Sequence, residues 1–241
     1  SSQSHHTSMS IADSISDVRR RVAAATEHSG RGAQPRLVAV SKTKPAALLK
    51  EAYDAGQRVF GENYVQELLE KAPELPGDIQ WHFIGHLQSN KAKTLVAAVP
   101  NLAMIETVDT VKLAGLLSKA CEEHRTAPLS VMVQVNTSGE ESKSGVEPGA
   151  ACVELARHIH TSCPGLKLAG LMTIGMPDYT SRPENFECLS LCRQDAAAAL
   201  GLSEESLDLS MGMSGDFEAA IAAGSTNVRV GSTIFGARSY A

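Results

Sequence analysis

Short β-rich runs and longer amphipathic stretches alternate eight times along this chain, and few architectures accept that order. The strand-like runs fall at 37–41, 58–61, 80–85, 104–107, 131–136, 168–174, 207–210 and 227–231. Helical spacing lies between them, at 45–55, 63–71, 90–99, 110–124, 148–160, 183–200 and 215–223. Pro45, Pro148 and Pro183 stand where a helix start tolerates proline, and Gly56 and Gly224 stand where helices end. Strand, helix, strand in succession predicts a parallel sheet, and eight such units in 241 residues predict one closed (β/α)8 barrel of the TIM type. An open, doubly wound sheet is the alternative that the pattern leaves. A further helix over 9–28, with Ile11, Ile15, Val18 and Val22 at helical spacing, is expected to pack outside the ring or plug its bottom. The α/β fold is assigned to a single domain spanning 9–241. The polar, Ser- and His-rich residues 1–8 are assigned to a disordered leader or a cloning remnant.

Charge and composition exclude several partners. A formal net charge of −5 argues against nucleic acid as an obligatory partner. No apolar run approaches the ~20 residues that span a bilayer, so no membrane role is expected. A cytoplasmic protein is the expectation, with organellar targeting by a missing transit peptide left open. The cysteines (Cys121, Cys152, Cys163, Cys188, Cys192) form no Cys-x-x-Cys pair and suit small core residues in a reducing interior. No metal site is expected. His82 and His86 straddle a strand and a loop without an evident third ligand, and Cys188 with Cys192 makes only two thiols.

In barrels and open α/β sheets alike, ligands bind at the carboxyl ends of the strands. The residues expected there are Lys42, Asn63, His82, Thr107, Asn136, Thr173, Ser210 and Arg229, with Gly231 and Ser232. Lys42 follows the apolar run Leu37-Val-Ala-Val-Ser41. Desolvation at that place favours the neutral, nucleophilic amine that imine chemistry needs. A lysine whose head snorkels to solvent is the plainer alternative. The turns Leu209-Ser-Met-Gly-Met-Ser-Gly-Asp216 and Val228-Arg-Val-Gly-Ser-Thr-Ile-Phe-Gly236 are rich in glycine and hydroxyls. In barrels the loops after strands seven and eight often hold a phosphate, although ordinary turn chemistry has the same composition. By strand alternation Arg229 faces the same way as Asn227 and Gly231, toward a ligand or toward a carboxylate such as Glu62 or Glu106.

Long ordered motifs then connect these pieces: AVSKTKP (39–45), FGENYVQE (60–67), WHFIGHLQSNK (81–91), NTSGEESKSG (136–145), GLMTIG (170–175), LSMGMSGDFEAAIAAGST (209–226) and VRVGSTIFGAR (228–238). From about residue 36 to 240 the chain resembles the pyridoxal phosphate homeostasis family, also called the proline synthetase co-transcribed family. The resemblance implies the barrel of the alanine racemase N-terminal domain and pyridoxal 5′-phosphate (PLP) as cofactor. It implies that Lys42 carries PLP as an internal aldimine, that Asn63 lies near the ring and its phenolic oxygen, and that Arg229 faces the pyridine nitrogen. An arginine there disfavours protonation of the ring and weakens it as an electron sink. Ser210, Met211, Ser214, Gly231 and Ser232 are implied to hold the phosphate. Lys44 and Lys143 are further amines near the expected mouth, read as solvated charges with a relay role in transfer as the alternative. Because the sequence stops soon after the eighth strand, no second domain is expected to deliver an opposing acid or base, and no catalytic residue is assigned. The implied function is intracellular PLP storage, protection and delivery, with a bearing on amino-acid balance and no turnover. Apo PLP-dependent enzymes would be recipients, and a monomer is favoured. The alternatives are a PLP-dependent amino-acid racemase or related fold-type III enzyme, and a cofactor-free barrel enzyme acting on a sugar phosphate.

Overall fold

Eight parallel strands pair in sequence order and close on themselves in a computed structural model that describes residues 9–141, 144–176 and 182–237. Residues 1–8 and Lys143 therefore lie outside the described residues. The strands are β1 (Arg36–Val40), β2 (Val59–Glu62), β3 (Gln80–Phe83), β4 (Leu102–Val108), β5 (Leu129–Gln134), β6 (Leu166–Met172), β7 (Asp208–Ser210) and β8 (Asn227–Val230). Closure is direct, since Val38 of β1 pairs with Arg229 of β8 and Val40 pairs with Gly61 of β2. The open-sheet alternative is thereby excluded.

The ring of helices comprises α2 (Ala46–Asp54), α3 (Val65–Lys71), α4 (Ala92–Ala98), α5 (Val111–His124), α6 (Ala150–Ser162), α7 (Pro183–Leu200), α8 (Phe217–Ala222) and the single-turn α9 (Ser232–Phe235). It is preceded by α1 (Ile11–His28), whose first turn is capped by the Ser10 hydroxyl accepting from the Asp13 amide at 3.1 Å. The apolar stripe of α1 buries Ile15, Val18 and Val22 against α2, α8 and α9. It packs outside the barrel, and does not plug the bottom. The helix after β8, α9, is a single turn, and α1 packs beside it against α8 and α2.

Two kinds of core follow from strand alternation. On β3, Trp81 and Phe83 point outward into the layer between sheet and helices, where Trp81 lies 5.9 Å from Phe60, ring centre to ring centre. His82 points inward and is 2% exposed. His82 stands next to last on β3, near the strand's carboxyl end as expected, with its side chain turned into the barrel. Inside the barrel, Met104, Met132 and Met172 form a small apolar cluster of their own. Beside it lies an interior polar group drawn from β3, β4, β7 and β8. No described helix is long and apolar enough to cross a membrane.

Candidate functional site

At the carboxyl ends of β1, β7 and β8 the chain opens a cavity of about 410 Å³. Lys42, Lys44, Ser214, Arg229, Gly231 and Ser232 line it. Three cations, two hydroxyls and a glycine-lined backbone make a donor-rich surface suited to an anion. The amides of Gly231 and Thr233 converge on the Ser214 oxygen at 3.1 and 3.4 Å, so the turns after β7 and β8 meet there. Gly212 makes the first of these turns possible. Its φ is +101°, and a Cβ would stand 2.6 Å from the Ala220 methyl. Among the described residues, those lining the cavity include no carboxylate, imidazole, phenol or thiol.

Arg229 is held from beneath. It is 3% exposed, donates to the Thr173 carbonyl at 2.8 Å and to the Ser210 hydroxyl, and lies 3.9 Å from Glu106 Oε1. Glu106 is fully buried, contacts His82 Nδ1 at 2.7 Å, and accepts from Ser210 and Asn227. Burial would raise the Glu106 carboxyl. The hydrogen bond and charge of His82, with the charge of Arg229 and the Ser210 hydroxyl, outweigh it and hold the group below its ordinary value. Burial also lowers Arg229, opposed by the charges of Glu106 and Asp216. Of the two carboxylates expected for Arg229, Glu106 is the one in place. Glu62 pairs elsewhere, with Lys71 at 2.6 Å.

Several anticipated residues do not reach the cavity wall. Ser210 is fully buried beneath Arg229, and Met211 belongs to the hydrophobic core with its amide bonded to the Asn227 carbonyl at 3.1 Å. Asn63 is half-buried outside the lining, and its Oδ1 is buried with no hydrogen-bond partner among the described residues. A buried acceptor without a donor is costly, and a bound polar group would relieve it. Gly85 packs hard against this loop, since a Cβ there would stand 2.1 Å from the Asn63 carbonyl oxygen. Lys44 lines the cavity while donating to the Ala237 carbonyl at 3.1 Å, so it is not simply a solvated charge.

The turn that carries Lys42 rests on charged residues that sequence reasoning did not single out. Ser41 donates to Glu62 Oε2 at 3.1 Å, and Lys71 Nζ donates to the Ser41 carbonyl at 2.9 Å. Burial pushes the Glu62 carboxyl up to about 7, against the charge and hydrogen bond of Lys71. In the folded chain Glu62 keeps its proton over a range where the unfolded chain, near 4.5, has lost it. Stability is therefore expected to fall as pH rises from about 4.5 toward 7. Glu62→Gln is expected to flatten that slope, measured as the pH dependence of the urea midpoint. An unchanged slope in the variant would assign the titration to another group.

Comparison with known proteins adds to this geometry. The family model described as alanine racemase, N-terminal domain, matches residues 14–239. A mouse protein named pyridoxal phosphate homeostasis protein is 54% identical over 216 residues, covering 86% of this chain and 78% of its own. Among solved structures, PipY of Synechococcus elongatus PCC7942, with PLP bound, superimposes with a TM-score of 0.75 at 33% identity. That match covers 94% of this chain and 100% of PipY. An alanine racemase from Bartonella henselae, 16% identical, matches with a TM-score of 0.69 over 95% of this chain and 58% of its own, a likeness of fold alone.

Proposed function

Because the chain belongs to the pyridoxal phosphate homeostasis protein family, with the fold of the alanine racemase N-terminal domain, we propose that it binds PLP at the cavity between β1, β7 and β8. The observation that carries the reading is the meeting of Lys42 with Arg229 and the Ser214, Gly231 and Ser232 turns in one cavity. Bound there, the cofactor supplies an electrophilic aldehyde and an anionic phosphate. Lys42 would hold the cofactor through its amine, and the reversible chemistry of an amine with that aldehyde would let another amine release it. The Ser214 and Ser232 hydroxyls would donate to the phosphate, with Ser214 held in place by the Gly231 and Thr233 amides that donate to its oxygen. Ser210 supports the site from below by accepting from Arg229, and Met211 contributes packing only. The donorless Asn63 Oδ1 suits a polar group of the cofactor's ring edge. Arg229 presents a positive charge that disfavours protonation of the ring nitrogen, which weakens the ring as a carbanion sink.

A weak electron sink and a lining without carboxylate, imidazole or phenol among the described residues suit holding and handing over more than turnover. We accordingly read the protein as a store that shields PLP and delivers it to apo-enzymes, with Lys44 near the exit. The test uses the full chain. Titration with PLP, borohydride reduction and peptide mass spectrometry should give one modified lysine, Lys42, per chain. Failure of wild-type protein to form any reducible linkage would overturn PLP binding through an imine. Incubation of the loaded protein with single L-amino acids in deuterated water should leave Cα hydrogens in place. Rapid exchange with loss of chirality would replace the carrier by an amino-acid racemase.

A further inference from the structure

Lys42 sits in a turn that its own sequence does not favour. The Lys44 amide donates to the Ser41 carbonyl at 3.1 Å, closing a turn with Lys42 and Thr43 at its centre. Thr43 has φ +64°, a left-handed conformation that favours glycine and that no other described non-glycine residue adopts. Strained residues of this kind persist where surrounding contacts over-determine them.

Those contacts come from the end of α3. Lys71 is 7% exposed, and its ammonium has three acceptors for its three hydrogens: the Ser41 carbonyl at 2.9 Å, Glu62 Oε1 at 2.6 Å, and Glu67. Glu67 Oε1 in turn accepts from the Thr43 amide at 2.5 Å. Ser41 is tied twice more, through its hydroxyl to Glu62 and its amide to the Gly61 carbonyl at 2.9 Å. Both neighbours of Lys42 are thus bonded to one buried ionic cluster. The cluster lies outside the cavity and lines none of it. A buried lysine with two carboxylates adds little net stability compared with apolar packing, so a role in specifying geometry is the better account of it.

We propose, on the reading of Lys42 as the cofactor's attachment point, that Lys71 with Glu67 and Glu62 is a brace that positions Lys42 by holding Thr43 in its left-handed turn. Lys71 touches no cofactor in this account; it is a positioning residue. The brace places the Lys42 backbone, so that the amine enters the cavity from a fixed origin.

The test compares wild type, Lys71→Met, Thr43→Gly and the double variant as full-length proteins. In protein without PLP, hydrogen exchange of the 41–44 amides should quicken about tenfold in Lys71→Met. With PLP added, the borohydride-trapped fraction at Lys42 should require about tenfold more cofactor. Thr43→Gly alone should bind as wild type does, and in the Lys71→Met background it should restore most of the loss, since glycine adopts φ +64° without strain. A brace that merely stabilises the fold would show no such rescue, and absence of rescue overturns the proposal. Wild-type exchange and wild-type trapping in Lys71→Met would overturn it as well. Should Lys71→Met fail to fold, Glu67→Gln carries the same expectations through the Thr43 amide. If wild-type protein forms no linkage, the PLP reading fails, while the exchange data on cofactor-free protein still decide whether the brace holds the turn.

Discussion

Lys42→Ala is expected to abolish the borohydride-trappable linkage and to weaken PLP binding on the order of a hundredfold, about 2.7 kcal/mol. Alanine removes the proposed covalent bond together with one of the three cations that line the cavity. The proposed phosphate-binding residues Ser214, Gly231 and Ser232 lie in the turns after β7 and β8, with Arg229 on β8, and all stay in place. Residual, reversible binding should therefore survive, visible as quenching of protein fluorescence without a reducible product. The fold should not suffer, because Lys42 is half-buried in a turn while the core beneath it is made by Val38 and Ala39. A trapped product in Lys42→Ala would move the linkage to Lys44 or Lys143, and unchanged affinity would mean that the imine contributes nothing to retention.

The largest effect on stability is expected from Glu106→Ala. The substitution strips the buried Arg229 of its counter-charge and removes the carboxylate that His82, Ser210 and Asn227 all address. Leaving one member of a buried pair uncompensated costs about 3–5 kcal/mol, a large part of a domain's stability. Urea denaturation at neutral pH measures it. Glu106→Gln keeps an acceptor for Ser210 and should lose less, while also freeing the arginine to shift. A loss under about 1 kcal/mol for Glu106→Ala would show that the Thr173 carbonyl and Ser210 suffice to hold the guanidinium. The orientation of Arg229 depends on this interior group, so PLP affinity should fall alongside stability.

The barrel was legible because its signal is repeated. Eight apolar runs separated by helical spacing leave little freedom, and the closed order of β1 to β8 follows. The place of α1 was not legible, since an amphipathic stripe says that a helix packs but not on what. Its seat beside the single-turn α9 is seen only in the fold. The position of His82 near the end of β3 was legible, but its partner was not. The Glu106 carboxylate that receives it comes from the neighbouring strand. That Lys42, Arg229, Ser214, Gly231 and Ser232 meet in one cavity was legible because loops after the strands of a barrel converge by topology. Lys71 carried no signal at all. At position i+4 from Glu67 it looks like half of a solvated helical pair, and its burial arises only when the turn after β1 lies over the end of α3. Thr43 is the residue type least suited to its backbone conformation, so propensity argued against what is there.

The seat that α1 takes also bears on the order in which the molecule assembles. Arg21 of α1 donates to Glu218 of α8, 197 residues away, and stacks 4.6 Å over the neighbouring Phe217 ring. On the ribosome α1 emerges before the α8 and α9 surfaces on which it docks. Its apolar stripe waits through most of synthesis with no native neighbour except α2. Contacts of such sequence separation are slow to form, and surfaces left open meanwhile are prone to association. Docking of α1 on α8 and α9 thus joins elements far apart in sequence and covers the β8–β1 seam from outside.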